Sequence, residues 1–476
     1  MKIVILGGGT AGWIAAYGIA KALNHAHNIE VVESSQIGVI GTGEGTTGLF
    51  SDFINGVWFP TNDLDVDEFI KETDATIKLG IEHVNWKGDG TQYMGPVGLT
   101  LTGTQLPDTI FLHTLLINKE KLHLAAPQGV FYELGARPNR GVYHFNGIKV
   151  GQYFKKLCLQ HPKTTHTDAV VKDIALKEDG NIGSLVTNDG RIIIADFFID
   201  CSGLARILMS KLDVSWHSYK NNLPVDTAIP FQLPLNENYK LVTKAHALKY
   251  GWMWKIPTQA RYGCGYVFDG DHITPYQAQQ EIEELLGHEI KPIKTIKFTA
   301  GRSELMWKKN CLALGLAAAF SEPLEATSIH TTIAQLITFI FEHLHETPEL
   351  TIIDSKIAEY NRQMSRMYDD IRDFLILHYM GGRTDSEFWL KITNKETTTD
   401  RVEQLLDMCA HKQIPTVYTF GHSYLGMIGN VLHNWTLAGL DKLSTEHAKI
   451  QLMKYSAFDR AKFETDQYLT GLCSLK

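Results

Sequence analysis

The first twelve residues constrain this chain more than any other stretch. Ile3-Val4-Ile5-Leu6 is an apolar run of the length of one buried strand, and it stops at Gly7-Gly8-Gly9-Thr10-Ala11-Gly12. Residues 13–24 then carry helical periodicity, and Ile29-Glu30-Val31-Val32-Glu33 reads as a second strand. The glycines thus fall between a strand and a helix. There Gly7 permits a tight turn, Gly9 lets backbone approach a pyrophosphate, and Gly12 lets the helix pack on the strand. Phosphates at that helix N-terminus meet free N–H groups and a favourable dipole. Glu33 ends the second strand, where its carboxylate can accept a bond from a ribose hydroxyl. A glycine triplet alone is an ordinary turn. The strand, turn, helix and acid together specify a Rossmann-type dinucleotide-binding unit, and hence an α/β fold.

At 476 residues the chain is longer than one compact core usually needs, which predicts a large domain with a second subdomain. Its formal net charge of −8, with no basic block, argues against nucleic acid as a partner. Cys158, Cys201, Cys264, Cys311, Cys409 and Cys473 are scattered, and none forms C-x-x-C. They read as reduced thiols, so neither a disulfide framework nor a metal site is expected. The apolar start breaks at Gly7, too early for a secretory signal, and no stretch reaches the ~18 apolar residues of a membrane span. The expectation is a cytoplasmic enzyme with soluble substrates and no membrane partner.

Further along, residues 61–86 read as mostly helical, and residues 168–200 as a strand meander with a hairpin turn at Asn188-Asp189-Gly190. Residues 225–310 read as strands with one acidic helix near 276–287, and residues 341–476 as mainly helical, with loops around Gly381-Gly382 and 413–430. The expected domains are 1–340, with inserted sheet and substrate elements over about 90–310, and 341–476. Two later segments look like returns to a nucleotide. Leu312 to Ala319 is a strand, a glycine and small residues opening a helix, and Phe198-Ile199-Asp200-Cys201-Ser202-Gly203 is a strand with an acid and a glycine. Either alone could be core with a turn. Their order along one chain favours FAD, and no second fingerprint for NAD(P)H is present.

Four segments carry a family resemblance. Gly7 to Gly12 is followed by Trp13; Trp252-Met253-Trp254-Lys255-Ile256-Pro257 fits W-x-W-x-I-P at every fixed position. Ala75-Thr76-Ile77-Lys78-Leu79-Gly80-Ile81 runs on to Asn85-Trp86, and Glu322-Pro323-Leu324-Glu325-Ala326-Thr327-Ser328-Ile329 departs from E-P-L-E-S-T-G-I at two positions. The sequence resembles the flavin-dependent halogenases of the tryptophan-halogenase family from residue 7 to about 330. Weaker likeness runs through Tyr368-Asp369-Asp370, Arg372-Asp373-Phe374 and Phe388-Trp389-Leu390 and thins after about 400.

The resemblance implies an FAD-binding domain of the flavin monooxygenase kind with a mainly helical C-terminal substrate subdomain. It implies FADH2 supplied by a separate flavin reductase, and oxygen and a halide ion that yield hypohalous acid for a small aromatic substrate. Lys78 and Glu325 would be catalytic: Lys78 holding the oxidant by a hydrogen bond or as a haloamine, Glu325 orienting it or taking the ring proton. Gly7, Gly8, Gly9, Thr10, Ala11, Gly12, Glu33, Ser34, Ile40, Val170, Gly315, Leu316 and Ile329 would contact the cofactor. Thr327 and Ser328 would bind the halide through backbone N–H groups, and Trp252, Trp254, Ile256 and Pro257 would line the barrier between flavin and substrate. Without that context, Lys78 is a solvated residue on an acidic helix, Glu325 a helix-start charge, and the tryptophans plain core. Two other functions share most of these features, an FAD-dependent aromatic hydroxylase and a flavin-binding protein without turnover. A homo-oligomer is compatible with the sequence.

The chain also departs from the family. Where tryptophan halogenases clamp free tryptophan with adjacent tyrosines, the comparable stretch here is Tyr418-Thr419-Phe420-Gly421-His422-Ser423-Tyr424-Leu425, with no tyrosine pair. A buried zwitterion without partners bears a desolvation penalty, so another electron-rich arene, such as an indole or phenol, is expected. Ala326 and Ser328 replace the usual serine and glycine, which points to bromide or iodide over chloride. The single nucleotide fingerprint carries a first prediction: the purified chain does not reduce its own flavin. NAD(P)H absorbance should stay flat until a separate reductase is added, and steady oxidation by the chain alone would favour the hydroxylase.

Overall fold

A computed structural model describes residues 1–38, 44–95, 97, 127–135, 141–344 and 353–410. Its first layer is a six-stranded sheet in the spatial order Trp307–Lys308, Cys311–Ala313, Phe197–Asp200, Lys2–Leu6, Asn28–Glu33, Thr164–Asp168. All neighbours are parallel except the Trp307–Lys308 edge. The central strand is buried from Ile3 to Leu6, as a parallel strand covered on both faces must be, which explains its unbroken apolar run. Gly7 ends it at φ +114°, and a Cβ there would lie 2.1 Å from the Cys201 carbonyl oxygen. The Thr10–Ala22 helix follows, buried continuously from Gly12 to Ala20.

The second layer is a seven-stranded sheet in the order Ile296–Lys297, Thr227–Leu233, Tyr262–Phe268, Gly251–Pro257, Thr243–Ala247, Ile81–Val84, Gln92–Gly95. It is antiparallel apart from the Thr243–Ala247/Ile81–Val84 pair. Successive side chains of the Gly251–Pro257 strand serve opposite cores. Trp252, Trp254 and Ile256 enter one, and Met253 enters the other, which the Pro275–Leu286 helix covers. The 26-residue Asp354–Tyr379 helix bridges the two layers: Tyr360, Met364 and Tyr368 pack into the nucleotide-binding core, Ile371 to Tyr379 into the tryptophan-lined one. A Rossmann-type layer with helices toward the C-terminal part is therefore present as expected. No helix of the described residues is long and apolar enough to cross a membrane.

One expectation fails. Residues 61–86 are not mostly helical: the helix covers only Val66–Glu72, capped by the Asp65 carboxylate on the N–H groups of Asp67 and Glu68. Asp74 then takes a left-handed turn at φ +55°. Thr76–Ile77 pairs with Tyr143–Phe145, and Ile81–Val84 with Thr243–Ala247. These partners are distant in sequence, and such pairing overrides local helix preference. Lys78 consequently stands on an extended segment, not on a solvated helix face.

The turn at the start of the chain generates a second prediction. A Cβ on Gly12 would lie 1.9 Å from the Gly7 carbonyl oxygen, a backbone atom with little room to yield. Gly12→Ala should lower stability by roughly 1–3 kcal/mol, the usual cost of overpacking, and weaken binding of FAD. Urea midpoints and FAD titration by fluorescence measure both, and a variant equal to wild type in both would contradict the reading of this turn.

Candidate active site

The nucleotide end is built from backbone. The helix opening at Thr10 has Gly9 as N-cap and no side-chain cap, so its first N–H groups remain available to an anion. Gly8 lies against Glu33, so close that a Cβ would fall 1.6 Å from Glu33 Oε2. The other oxygen, Oε1, is held by Lys155 Nζ at 2.6 Å and His166 Nε2 at 2.9 Å. Ser34 follows Glu33 directly, and the Ala169 N–H bonds to the Glu33 carbonyl, so Val170 sits beside the same strand end. Gly315, at φ +63°, packs on Ala11: its Cβ would be 2.7 Å from that of Ala11. The late glycine segment thus returns to the fingerprint helix, with Leu316 next to it, and Ile329 packs against the same core. In Phe198–Gly203, Asp200 serves the local turn: its carboxylate accepts from the N–H groups of Ser202, Leu208 and Met209. A dinucleotide fits this cradle of close backbone and uncapped N–H groups. Ile40 lies outside the described residues, as does Tyr418–Leu425.

Lys78 is 1% exposed. Its backbone N–H is fixed by the Val142 carbonyl, and its Nζ donates to the Thr46 carbonyl at 3.1 Å. Burial lowers the amine to about 8, opposed by the charge of Glu325. Gly45 makes room for it: a Cβ there would meet Lys78 Nζ at 3.2 Å and Ala326 Cβ at 3.5 Å. The ammonium tip therefore adjoins the turn that starts the Thr327–Phe339 helix. Ala326 is the N-cap of that helix, at φ +55°, and gives it no side-chain cap. A non-glycine residue in this region is strained by about 1–2 kcal/mol. The turn joins Glu325 directly to a helix start whose first N–H groups have no side-chain cap.

Glu325 is buried and holds its charge through two histidines. Burial works to raise its pKa, but the close contact with His378, and the more distant one with His83, outweigh that and hold it well below the usual carboxylate range. His378 Nε2 lies 2.8 Å from Glu325 Oε1, and His83 Nε2 lies 3.4 Å from the same oxygen. His378 Nδ1 faces the Phe374 carbonyl at 3.0 Å. A carbonyl only accepts, so Nδ1 carries a hydrogen, and the 2.8 Å contact on the other side needs one more proton between Nε2 and Oε1.

The tryptophan strand packs near this cluster. Trp252 and Trp254 are buried with ring centroids 6.2 Å apart, and Trp86 lies 6.3 Å from Trp252 and 6.2 Å from His378. The Trp254 indole lies over Gly265, where a Cβ would fall 2.1 Å from the ring. Trp252 Nε1 donates to Glu322 Oε1 at 3.1 Å, and Tyr379 Oη donates to the same carboxylate at 2.7 Å. Pro257 ends the strand by accepting the Thr76 hydroxyl at 2.7 Å, two residues from Lys78. One strand therefore ties the lysine segment to the Glu322–Glu325 segment.

The sequence matches the family described as tryptophan halogenase over residues 2–437. The chain belongs to the tryptophan halogenase family, and so to the flavin-dependent halogenases. It is 31% identical over 441 residues to a tryptophan 7-halogenase of Lentzea aerocolonigenes, covering 86% of this chain and 81% of that protein. Its fold is similar to the crystal structure of a tryptophan halogenase from Shewanella frigidimarina, at 25% identity and a TM-score of 0.83, covering 99% of this chain and 95% of the other. A flavin-dependent halogenase from a Brevundimonas species is 26% identical with a TM-score of 0.78, covering 99% of both chains.

For this halogenase the sequence reading left out several residues that the fold brings to Lys78 and Glu325. Gly45 ends a short strand and Thr46 follows it, His83 comes from the strand after Lys78, and His378 from the end of the long helix. His144, whose Nε2 lies 2.8 Å from the Thr243 hydroxyl, is kept neutral by burial and by the charge of Lys78. The available signal was a histidine inside an apolar run, as in Leu375-Ile376-Leu377-His378-Tyr379.

Glu322 generates the third prediction. Burial raises it to about 7, against the bonds from Tyr379 and Trp252. A folded pKa above the unfolded one means stability that is complete below the unfolded value of about 4.5 and lost as pH rises through about 7. Glu322→Gln lacks this titration. Between pH 5 and 8 its stability relative to wild type should rise by about 2 kcal/mol, read from urea midpoints. Parallel pH profiles would contradict the assignment.

Proposed function

We propose that this halogenase takes FADH2 from a separate flavin reductase and halogenates an electron-rich arene, such as an indole or phenol, rather than free tryptophan. Bound at the Gly7–Gly12 turn and against Gly315, FADH2 would supply the electrons with which oxygen converts a halide to hypohalous acid. The observation that carries the reading is a desolvated amine, Lys78, beside a carboxylate, Glu325, that stays ionised inside the protein.

The halide sits beside the bound flavin, at the uncapped N–H groups of Thr327 and Ser328. Lys78 holds the oxidant. With its amine lowered to about 8, both the ammonium that donates a hydrogen bond and the amine that forms a haloamine are populated near neutral pH. Glu325 accepts the proton that leaves the ring carbon, and His378 keeps the carboxylate oriented. Trp252, Trp254, Ile256 and Pro257 exclude the arene from the nucleotide end, so that oxygen is not inserted directly. The relatives are named for tryptophan. The missing tyrosine pair in Tyr418–Leu425 and the Ala326 and Ser328 replacements favour a different arene, with bromide or iodide over chloride.

The test supplies reductase, FAD, oxygen and halide, and compares wild type with two variants. Lys78→Ala should bind FAD and yield no halogenated product above a free hypohalous acid control. Glu325→Gln should slow turnover by roughly 10²–10⁴, the range expected for loss of a general base. Full activity in Lys78→Ala would end the proposal. In competition among halides and acceptors, bromide with indoles or phenols should prevail, and efficient regiospecific chlorination of free tryptophan would overturn the substrate half.

A further inference from the structure

His83, Glu325 and His378 form a cluster with more coordination chemistry than a proton pair requires. Their ligand atoms lie within 4.8 Å of one another, and the three residues are 2%, 7% and 1% exposed. Neither ring nitrogen of His83 has a well-formed hydrogen bond among the described residues, although Nε2 points at Glu325 Oε1 from 3.4 Å. An imidazole buried in this way is costly unless something else satisfies it.

We propose that His83, Glu325 and His378 bind a divalent transition-metal cation of the Zn²⁺ class, two imidazoles and one carboxylate leaving a fourth position open. Bonds of about 2.0–2.1 Å place tetrahedral ligand atoms roughly 3.3 Å apart. The observed 2.8 and 3.4 Å from Oε1 to the two nitrogens need adjustments of a few tenths of an ångström. The His378 ring is already set for the role: its Nδ1–H is fixed on the Phe374 carbonyl, which leaves Nε2 as the ligand atom. The His83 ring is clamped by stacking on Tyr93, with centroids 4.5 Å apart and planes within 5°, and by the edge of Trp86. Two imidazoles and a carboxylate suit Zn²⁺ and Co²⁺, whereas Mg²⁺ and Ca²⁺ prefer all-oxygen sites.

The consequence rests on the proposed role of Glu325. A cation on Oε1 displaces the proton shared with His378 and occupies the carboxylate that would take the ring proton, so the metal is an inhibitor of halogenation and not its cofactor. No oxidation or reduction is involved.

The test titrates the full chain, freed of metal by chelator, with Co²⁺ in the absence of flavin and substrate. Wild type should take up one equivalent with the visible absorption of four-coordinate Co²⁺, and Zn²⁺ should displace it. His83→Gln and His378→Gln should each weaken binding by more than the roughly 10–100-fold that losing an outer-shell partner costs. FAD binding and the urea midpoint report whether each variant folds, and Glu325→Gln serves as a third ligand variant should one fail. No stoichiometric uptake by wild type, or uptake unchanged in the folded variants, overturns the site. Zn²⁺ should then inhibit turnover reversibly. Tight binding with no inhibition would leave the metal site standing and remove Glu325 from catalysis.

Discussion

A carboxylate buried to 7% exposure, held ionised beside a lysine buried to 1%, is the constraint on which the rest of this structure depends. An isolated charge of either sign would cost several kcal/mol at such burial and would neutralise instead. Glu325 avoids this through two imidazoles from opposite parts of the chain. Lys78 is met by the neutral Thr46 carbonyl, and burial lowers its pKa. The result is an asymmetric pair. The carboxylate is stabilised in its charged form, and the amine is left near the point where it can gain or lose a proton. Both properties suit transfer of a halogen to a ring that must then shed a proton.

Holding that pair requires strands that meet from far apart in sequence. Thr76 binds the Pro257 carbonyl, Trp252 binds Glu322, and Tyr379 binds Glu322 from the long helix. The same helix delivers His378 one residue earlier. Its other half packs into the core of the Rossmann-type layer, so one continuous helix joins that layer to the Lys78–Glu325 layer. The strained turn at Ala326 is affordable because Glu325 and the following helix are fixed on both sides.

Which parts were legible follows from the range of the interactions. The fingerprint was readable because its constraints are local: Gly7 needs its positive φ, and Gly12 must approach Gly7. The buried first strand, the meander up to Ile199 and the Pro275–Leu286 helix were legible for the same reason. The segment around Lys78 was misread as helix because its true partners, Tyr143–Phe145 and Thr243–Ala247, lie well over 60 residues away. His83 and His378 carry no motif, and only tertiary packing brings them to Glu325. The motif residues themselves, Lys78, Glu325 and the two tryptophans, were found by resemblance, which encodes spacing but not the neighbours that set their charge.

In the proposed function the oxidant reaches the arene only at Lys78 and Glu325. The most direct measurement is the isomer distribution of the brominated product from one indole, made by the enzyme and by free hypobromous acid, with bromide present and absent. One dominant isomer is expected from the enzyme, a mixture from the free acid, and no product without bromide. An enzyme product with the isomer ratio of the free acid, or a hydroxylated product that forms without halide, would contradict it.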